Sequence, residues 1–397
     1  MPQTLKVNFG MVKTIVKESY DIIVVGGGIA GCSAALSAAR EGKNVLLIEK
    51  HINLGGLATI GLISWFEPLC DGDGHKIVSG NAEEFMRLAI DCGYDNLHPT
   101  WGGKSGNKPL NDRCSTYFSP TCFSLALDKL LRENGVNIMY DTLATYPEIE
   151  NNVIKGIITE NTDGRSFYPC KIVIDCTGEA TVARRAGVPT RTFNNESTFV
   201  VHDTSRDRAT TFSENGDMTE LRHWQWFKTR EGLIDDYNSQ TENEYLKDCK
   251  SVAIEHYSAV DKNSREILTL PELPQIRLIR AIIGEKTFLG RVEDKDSKIS
   301  DSIGSMSDFA HLGYRFEIPY GCLYNSGFPN LLCAGRIVSA QDNGISVLRV
   351  IPGCCLTGQA AGIAAAIAIE SNDNSVVGIY DKLRLRLEDK GVSFVLG

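Results

Sequence analysis

Residues Tyr20 to Glu49, YDIIVVGGGIAGCSAALSAAREGKNVLLIE, decide how the rest of the chain is read. Ile22 to Val25 is a short apolar run rich in β-branched residues, long enough for one buried parallel strand. Gly26, Gly28 and Gly31 follow in GxGxxG spacing, and SAALSAAR has the helix propensity expected of a crossover helix. Gly42 ends that helix, Asn44 to Ile48 gives a second apolar strand, and Glu49 stands at its carboxyl end. In such a unit the first glycine permits a tight turn, the second lets backbone approach a pyrophosphate, and the third lets helix pack on strand. The helix N-terminus offers unpaired N–H groups and a partial positive charge, ~0.3–1 kcal/mol per anionic contact. Glu49 can accept hydrogen bonds from a ribose diol, and its charge disfavours a 2′-phosphate and hence NADP. The stretch predicts dinucleotide binding; on its own it leaves NAD and FAD equally good.

A chain of 397 residues can bury a large core and is expected to form two domains or one interleaved unit. Hydrophobic residues at 42% and charged residues at 23% suit a soluble globular enzyme. The net charge of −9 argues against nucleic acid as a partner, because phosphate contacts need clustered Lys and Arg. No run reaches the roughly 18 consecutive apolar residues of a membrane span. The first residues, MPQTLKVNFGMVKTIVKES, lack the apolar core of a secretory signal, so a cytoplasmic location without membrane attachment is expected. None of the twelve cysteines lies in a CxxC, and the seven histidines show no HxxxH or HExxH spacing, so no metal site is expected. Adjacent Cys354 and Cys355 leave two readings, core packing and a redox or metal role.

After Glu49 comes KHINLGGLATIGLISWF, in which Gly55 and Gly56 suggest another close backbone approach to a ligand, with Thr59 just beyond. Residues 68–120 are rich in Gly, Asp, Asn and Ser around one helical stretch, Ala82 to Cys92, and read in part as a substrate lid. Pro120 to Asn134 reads as an amphipathic helix and Val136 to Tyr140 as a strand. Val153 to Ile158 and Ser166 to Cys170 form a meander turning at Asp163-Gly164. In KIVIDCTGEATVARRAG an apolar strand ends at Asp175, and Thr177-Gly178 turns into a helix. Glu220 to Thr229 and Glu242 to Ala259 read as helices of a second unit. Arg277 and Arg280, three apart, admit two readings: surface ion pairs on a helix face or strand, or guanidinium groups that hold an anion. Leu331 to Cys333 is a short strand with Ala334-Gly335-Arg336 as its exit turn. A long Ala-rich helix is expected to begin near Thr357-Gly358-Gln359, with bare N–H groups available to something electron-rich.

GGGIAG, GGLATIG, VIDCTGEA, RLIRAIIGE, EIPYGCL, NLLCAGRIVSA and LRVIPGCCLTGQAAGIAAA occur in the order seen in one family and span nearly the whole chain. The sequence resembles the broad FAD-dependent oxidoreductases of the glutathione-reductase-type superfamily. That resemblance implies an α/β fold: a Rossmann-like three-layer FAD-binding domain, parallel sheet plus β-meander, with an interleaved α+β substrate domain. The FAD-binding part would comprise 18–187 and 306–397, with the lid-like excursion 68–120, and the substrate or cap part 188–305. FAD contacts are implied at Gly26, Gly28, Ile29, Ala30, Gly31, Glu49, Lys50, Gly55, Gly56, Leu57 and Thr59. Further contacts are implied at Leu143 or Ala144 near the adenine, at Thr177, Gly178, Gly335 and Arg336, and at Thr357, Gly358 and Gln359 beside the flavin.

Several departures narrow the reading. Leu57, Ala58, Thr59 and Ile60 occupy the place of the redox cysteine pair of disulfide reductases, so a dithiol relay is absent. Many relatives end the third motif Gly-Asp, where this chain has Gly335-Arg336. A second GxGxxG unit for NAD(P)H, the pattern for covalent FAD attachment and iron–sulfur cysteine runs are missing. The expectation is non-covalent FAD and hydride transfer between a small organic molecule and flavin N5, with oxygen or a separate redox partner exchanging electrons. Arg277, Arg280 and Arg349 are candidates to hold a carboxylate or developing charge, Tyr320 to donate a proton and Trp65 to wall the pocket. The alternatives are a flavoprotein that uses FAD without net redox, as in nucleotide modification, and a non-catalytic FAD-binding protein. Replacing Glu49 with Ala should weaken FAD binding by roughly 1.5–3 kcal/mol, the worth of hydrogen bonds to a charged acceptor. Equal FAD retention in equilibrium dialysis would remove its ribose role.

Overall fold

A computed structural model describes residues 13–73, 75–94, 97, 115–193, 195–234, 237–371 and 373–394. Of the excursion 68–120, read in part as a lid, residues 74, 95, 96 and 98–114 lie outside them. The chain opens with β1 (Ile15–Val16), β2 (Tyr20–Val25), α1 (Ile29–Arg40) and β3 (Val45–Ile48). Next come β4 (Trp65–Phe66), α2 (Asn81–Asp91), β5 (Thr116–Tyr117), α3 (Pro120–Glu133) and β6 (Asn137–Met139). β7 (Leu143–Glu150), β8 (Val153–Asn161), β9 (Gly164–Asp175) and α4 (Thr181–Ala186) complete the first half. The second half contains β10 (Thr190–Thr192), β11 (Asn195–Ser205), α5 (Arg206–Asn215), β12 (His223–Ile234), α6 (Ser239–Ala259), β13 (Arg265–Thr269) and β14 (Arg280–Ile282). It ends with β15 (Ser302–Ser307), β16 (Arg315–Pro319), β17 (Leu331–Cys333), α7 (Asn343–Leu348), α8 (Ile351–Glu370) and α9 (Tyr380–Asp389).

The central sheet runs β6-β3-β2-β9-β8-β7, with β1 and β17 also pairing with β9. The pairs among β6, β3, β2, β9 and β17 are parallel, whereas β9–β8 and β8–β7 are antiparallel. Strand β9 joins the two regions: Gly164 to Pro169 pairs with β8 in the meander, and Cys170 to Asp175 pairs with β2. Alternation along the strands then separates two cores. Ile22, Val24, Val45, Leu47, Ile172 and Ile174 face the helices, while Ile23, Val25, Leu46, Ile48 and Val173 face Ile154, Ile157 and Tyr168 of the meander. Helix, parallel sheet and meander make three layers. The fold class is the Rossmann-type α/β architecture expected from the sequence.

Helices α1 and α8 pack along a line of small residues. A Cβ on Gly358 would lie 2.3 Å from the Ala30 carbonyl oxygen, and one on Gly362 2.3 Å from that of Ala34. Among the described residues α8 is the one helix long and apolar enough to cross a membrane, yet 94% of that stretch is buried inside the protein. Its interior polar groups are tied locally: Thr357 Oγ1 donates to the Gly353 carbonyl at 2.8 Å, and Gln359 Oε1 accepts from the Asn81 N–H at 2.9 Å.

A separate small sheet, β12-β11-β13, packs on α6 through Phe199, Val201, Phe227, Tyr245, Cys249 and Tyr257. One expected helix differs here, and an open choice between helix and strand is decided. Glu220 to Thr229 is not an α-helix: after a short 3-10 turn ending at Leu221, HWQWF lies in β12, paired with β11 through Trp226–Val200 and Trp224–His202, because that pairing outweighs a mixed local propensity. The segment carrying Arg277 is irregular and leads into β14, so the two arginines do not share a helix face. Phe288 and Ile303, within the 188–305 segment, pack in the helical-layer core rather than with α6.

Replacing Gly362 with Val should push α8 off α1, because the atom met is backbone carbonyl, and cost about 1–3 kcal/mol as overpacking. A urea midpoint lowered accordingly is the expected result; an unchanged midpoint would mean the helices are not packed this closely.

Candidate functional site

The carboxyl ends of β2, β3, β9 and β17 open onto one cleft of about 310 Å³. Its floor is the turn from β2 into α1. Gly26 sits at φ +101°, and a Cβ there would meet the Cys176 carbonyl oxygen at 2.5 Å. A Cβ on Gly31 would fall 1.8 Å from the Gly26 oxygen, so the helix can start this close to the strand only through glycine. Around Gly28, by contrast, a Cβ would find nothing within 4 Å, so backbone is bare towards the cleft. Gly28 caps α1 with no side-chain hydrogen bond and no acid in the first turn, which leaves the helix's N-terminal N–H groups for an anion.

A second turn lies against the first. Gly55 N–H donates to the Gly27 carbonyl at 2.8 Å, and Gly56 approaches Gly28 so closely that a Cβ would stand 3.0 Å from its Cα. Thr59 Oγ1 donates to the Leu54 carbonyl at 2.5 Å and is buried, which shapes this loop from behind. Glu49 is buried beside both turns: Oε2 accepts from Gly27 N–H at 2.5 Å, and Oε1 from His51 N–H at 2.8 Å. Its carboxylate therefore orders the glycine turn and still borders the cleft, each oxygen keeping a further lone pair.

Asp175, fully buried, builds the next wall. Its Oδ1 accepts from the Thr177 N–H at 3.0 Å and hydroxyl at 2.7 Å, and Oδ2 from the Ala183 N–H at 2.8 Å. Burial pushes this carboxyl's pKa up, and the three donors oppose the shift. The Thr177-Gly178 turn that results faces the cleft. Opposite, Arg336 donates Nε to the Gly178 carbonyl at 2.7 Å and Nη1 to the Ile276 carbonyl, clasping this turn to the segment before β14. Burial lowers its pKa.

Of the residues singled out in the sequence, Gly26, Gly28, Ile29, Ala30, Glu49, Lys50, Gly55, Gly56 and Leu57 line the cleft. So do Leu143, Ala144, Thr177, Gly178, Gly335, Arg336 and Arg349. Gly31 and Thr59 stand behind the lining as described above. Helix α8 starts at Ile351, with Pro352 in its first turn, six residues before the expected start. Thr357, Gly358 and Gln359 consequently lie in the helix interior, while Ile351 and Cys354 of the first turn reach the cleft. Thr357 acts one step back, accepting the Gly335 N–H at 3.0 Å.

Tyr320 is buried in the core with its hydroxyl donating to the Val376 carbonyl at 2.7 Å, so it faces away from the cleft. Trp65 pairs with Tyr117, rings 5.1 Å apart, outside the cleft lining. Arg280 donates to the Glu179 carbonyl at 3.3 Å and is off the lining. Arg277 is exposed and near enough to Arg349 that the two charges repel; burial and that repulsion lower the Arg349 pKa to about 10. Arg349 makes no ion pair among the described residues and rests over the Phe309 ring at 5.4 Å. His51, Cys354, Leu273 and Pro274 also line the cleft. Cys354 is noticed in the sequence for its neighbour Cys355, but its place at the cleft follows only from the earlier helix start, for which Pro in the first turn is a signal. No periodic pattern marks Leu273-Pro274.

A family model described as FAD dependent oxidoreductase matches residues 21–281 and 294–387. A digeranylgeranylglycerophospholipid reductase from Methanocella arvoryzae is 29% identical over 182 residues, 44% of this chain and 43% of that protein. An NADH:acrylate oxidoreductase from Vibrio harveyi is 46% identical over 79 residues, 19% of this chain and 8% of that protein. The aligned part thus spans less than half the length of these curated relatives. Among solved structures, a geranylgeranyl bacteriochlorophyll reductase-like protein from Thermoplasma acidophilum is 17% identical, with TM-score 0.47, covering 95% of this chain and 85% of that one.

A Gly28→Val side chain would fill the only bare stretch of the glycine turn without disturbing a packed neighbour. The variant should fold with the wild-type circular dichroism spectrum and purify with less than about a tenth of the wild-type cofactor, since a lost contact set worth about 1.4 kcal/mol is already tenfold. Wild-type cofactor content would show that Gly28 does not face it.

Proposed function

The chain belongs to the FAD dependent oxidoreductase family, and from that premise we propose that its cleft holds FAD non-covalently for hydride transfer between a small organic substrate and flavin N5. One observation carries the reading: a single cleft collects the glycine turn, Glu49, Thr177-Gly178, Gly335 and the first turn of α8. FAD is the cofactor, and when bound it supplies the hydride-exchanging centre; the protein's part is placement and electrostatics. Glu49 would take the ribose hydroxyls, the N–H groups at Ile29 and Ala30 the pyrophosphate, and Leu143 and Ala144 the adenine side. Gly335, Arg336, Ile351 and Cys354 would border the flavin end, with the start of α8 turning its bare N–H groups towards negative charge.

Arg349 is the residue we assign to the substrate. A half-buried guanidinium with no carboxylate partner among the described residues, next to a second cation, gains from any anion brought to it. It would hold a substrate carboxylate or charge developing during transfer, with Arg277 contributing at the rim. Leu273 and Pro274 extend from the 188–305 segment into the lining, which supports a division of labour: 18–187 and 306–397 for the cofactor, 188–305 for the substrate side. Oxygen or a separate redox partner would exchange the electrons, in the cytoplasm. Relatives named as a reductase and an oxidoreductase favour redox turnover over a use of FAD without net electron transfer.

Anaerobic photoreduction of the holoprotein, followed by mixing with a panel of small carboxylate-bearing and neutral acceptors, tests this. Reoxidation by at least one carboxylate compound is expected, with KM raised about tenfold or more in Arg349→Gln, as for a lost charge-assisted hydrogen bond. If no small molecule changes the flavin spectrum in either direction, the oxidoreductase reading fails; if KM is unchanged in the variant, the role of Arg349 fails.

A further inference from the structure

We propose that the chain carries a second small-molecule site, separate from the dinucleotide cleft, which binds a compact carboxylic acid with an apolar body. The site is a cavity of about 480 Å³ between the ends of α2 and α3 and the small sheet β11, β12 and β13, and none of its lining residues borders the first cleft. Its size falls in the range of small-ligand pockets.

Three polar atoms in this cavity's lining residues are buried without a hydrogen-bond partner among the described residues: Arg222 Nη1, the Tyr94 hydroxyl and Thr204 Oγ1. Three such atoms on the residues around one small cavity are unusual, because buried polar groups are nearly always paired and each unpaired one costs about 1–3 kcal/mol. All three can donate. Burial raises the Tyr94 phenol to about 12, so it keeps its proton at neutral pH. Arg222 makes no ion pair among the described residues. The cavity also meets the start of α3 at Ser119, whose side chain makes no cap and which has no acid in the first turn, so the helix adds positive potential. A group with two acceptor oxygens and a negative charge satisfies this set, and a carboxylate is the smallest that does so.

The remaining wall asks for an apolar body. Met218 and Leu268 are 53% and 43% exposed, side chains of a size usually covered, and Leu221 and the thiols of Cys92 and Cys122 complete the surface. Free phosphate would satisfy the donors but leave that wall wet.

The two thiols give a readout independent of flavin chemistry. The FAD-loaded protein would be treated with iodoacetamide, with or without millimolar hexanoate, hexanamide or inorganic phosphate, and alkylation at Cys92, Cys122 and Cys354 followed by mass spectrometry. Hexanoate should slow alkylation of Cys92 and Cys122 at least threefold and leave Cys354 unaffected, while hexanamide and phosphate should not protect. Arg222→Gln should need about tenfold more hexanoate for the same protection, with flavin content unchanged, whereas Arg349→Gln should behave as wild type. Leu268→Trp, which fills the cavity and keeps Arg222, should also lose protection. Failure of hexanoate to protect, equal protection by hexanamide or phosphate, or full protection in Arg222→Gln would each overturn the site. None of these outcomes depends on turnover at the flavin.

Discussion

The turn between β2 and α1 exists only because Gly31 has no side chain: a Cβ there would overlap the Gly26 carbonyl oxygen at 1.8 Å. That close approach brings the first turn of α1 to the edge of the parallel sheet, with its N–H groups towards the cleft. Gly26 in turn passes against the backbone of Cys176, which fixes the DCTG turn beside it. Behind, Gly358 and Gly362 let α8 run along α1, so the start of α8 arrives at the far end of the same cleft. Three segments distant in sequence become one binding surface through backbone contacts that a methyl group would block.

Charged groups around that surface divide into those that build and those left free to act. Glu49 and Asp175 are buried acids whose oxygens hold backbone N–H groups of the glycine turn and of α4. Arg336, although cationic, is spent on two carbonyls. Arg349 is different: its burial and the nearby Arg277 lower its pKa to about 10, and no carboxylate among the described residues relieves it. A cation held in this way costs stability in the empty cleft and is useful only when an anion joins it. The same contrast marks the second cavity, where Arg222 Nη1, the Tyr94 hydroxyl and Thr204 Oγ1 find no hydrogen-bond partner among the described residues.

How far the sequence reveals this varies with the kind of signal. The unit from Tyr20 to Glu49, the meander with its turn at Asp163-Gly164 and helix α6 are legible because periodicity and glycine spacing are local properties. HWQWF misleads because partners on β11, far along the chain, decide its state. The expected helix start near Thr357 is too late because proline's fixed φ and missing N–H suit a first turn, and with Pro352 there the helix starts at Ile351. Tyr320 is a plausible proton donor by residue type, yet its hydroxyl serves a core carbonyl; sequence gives the group and not the side it faces. The cleft's cofactor half is thus largely readable, whereas the part of its lining from Leu273 and Pro274 to Arg349, proposed above for the substrate, depends on tertiary placement.

The central claim is that the cleft recognises both halves of FAD through one backbone surface. Equilibrium titration of the apoprotein with FAD and FMN, followed by flavin fluorescence, and with NAD, followed by quenching of protein tryptophan fluorescence, tests it directly. The account predicts one FAD per chain, bound on the order of 100-fold more tightly than FMN, which lacks the adenylate that Glu49 and the α1 start would engage, and than NAD. Equal affinity for FMN, or preference for NAD, would contradict it.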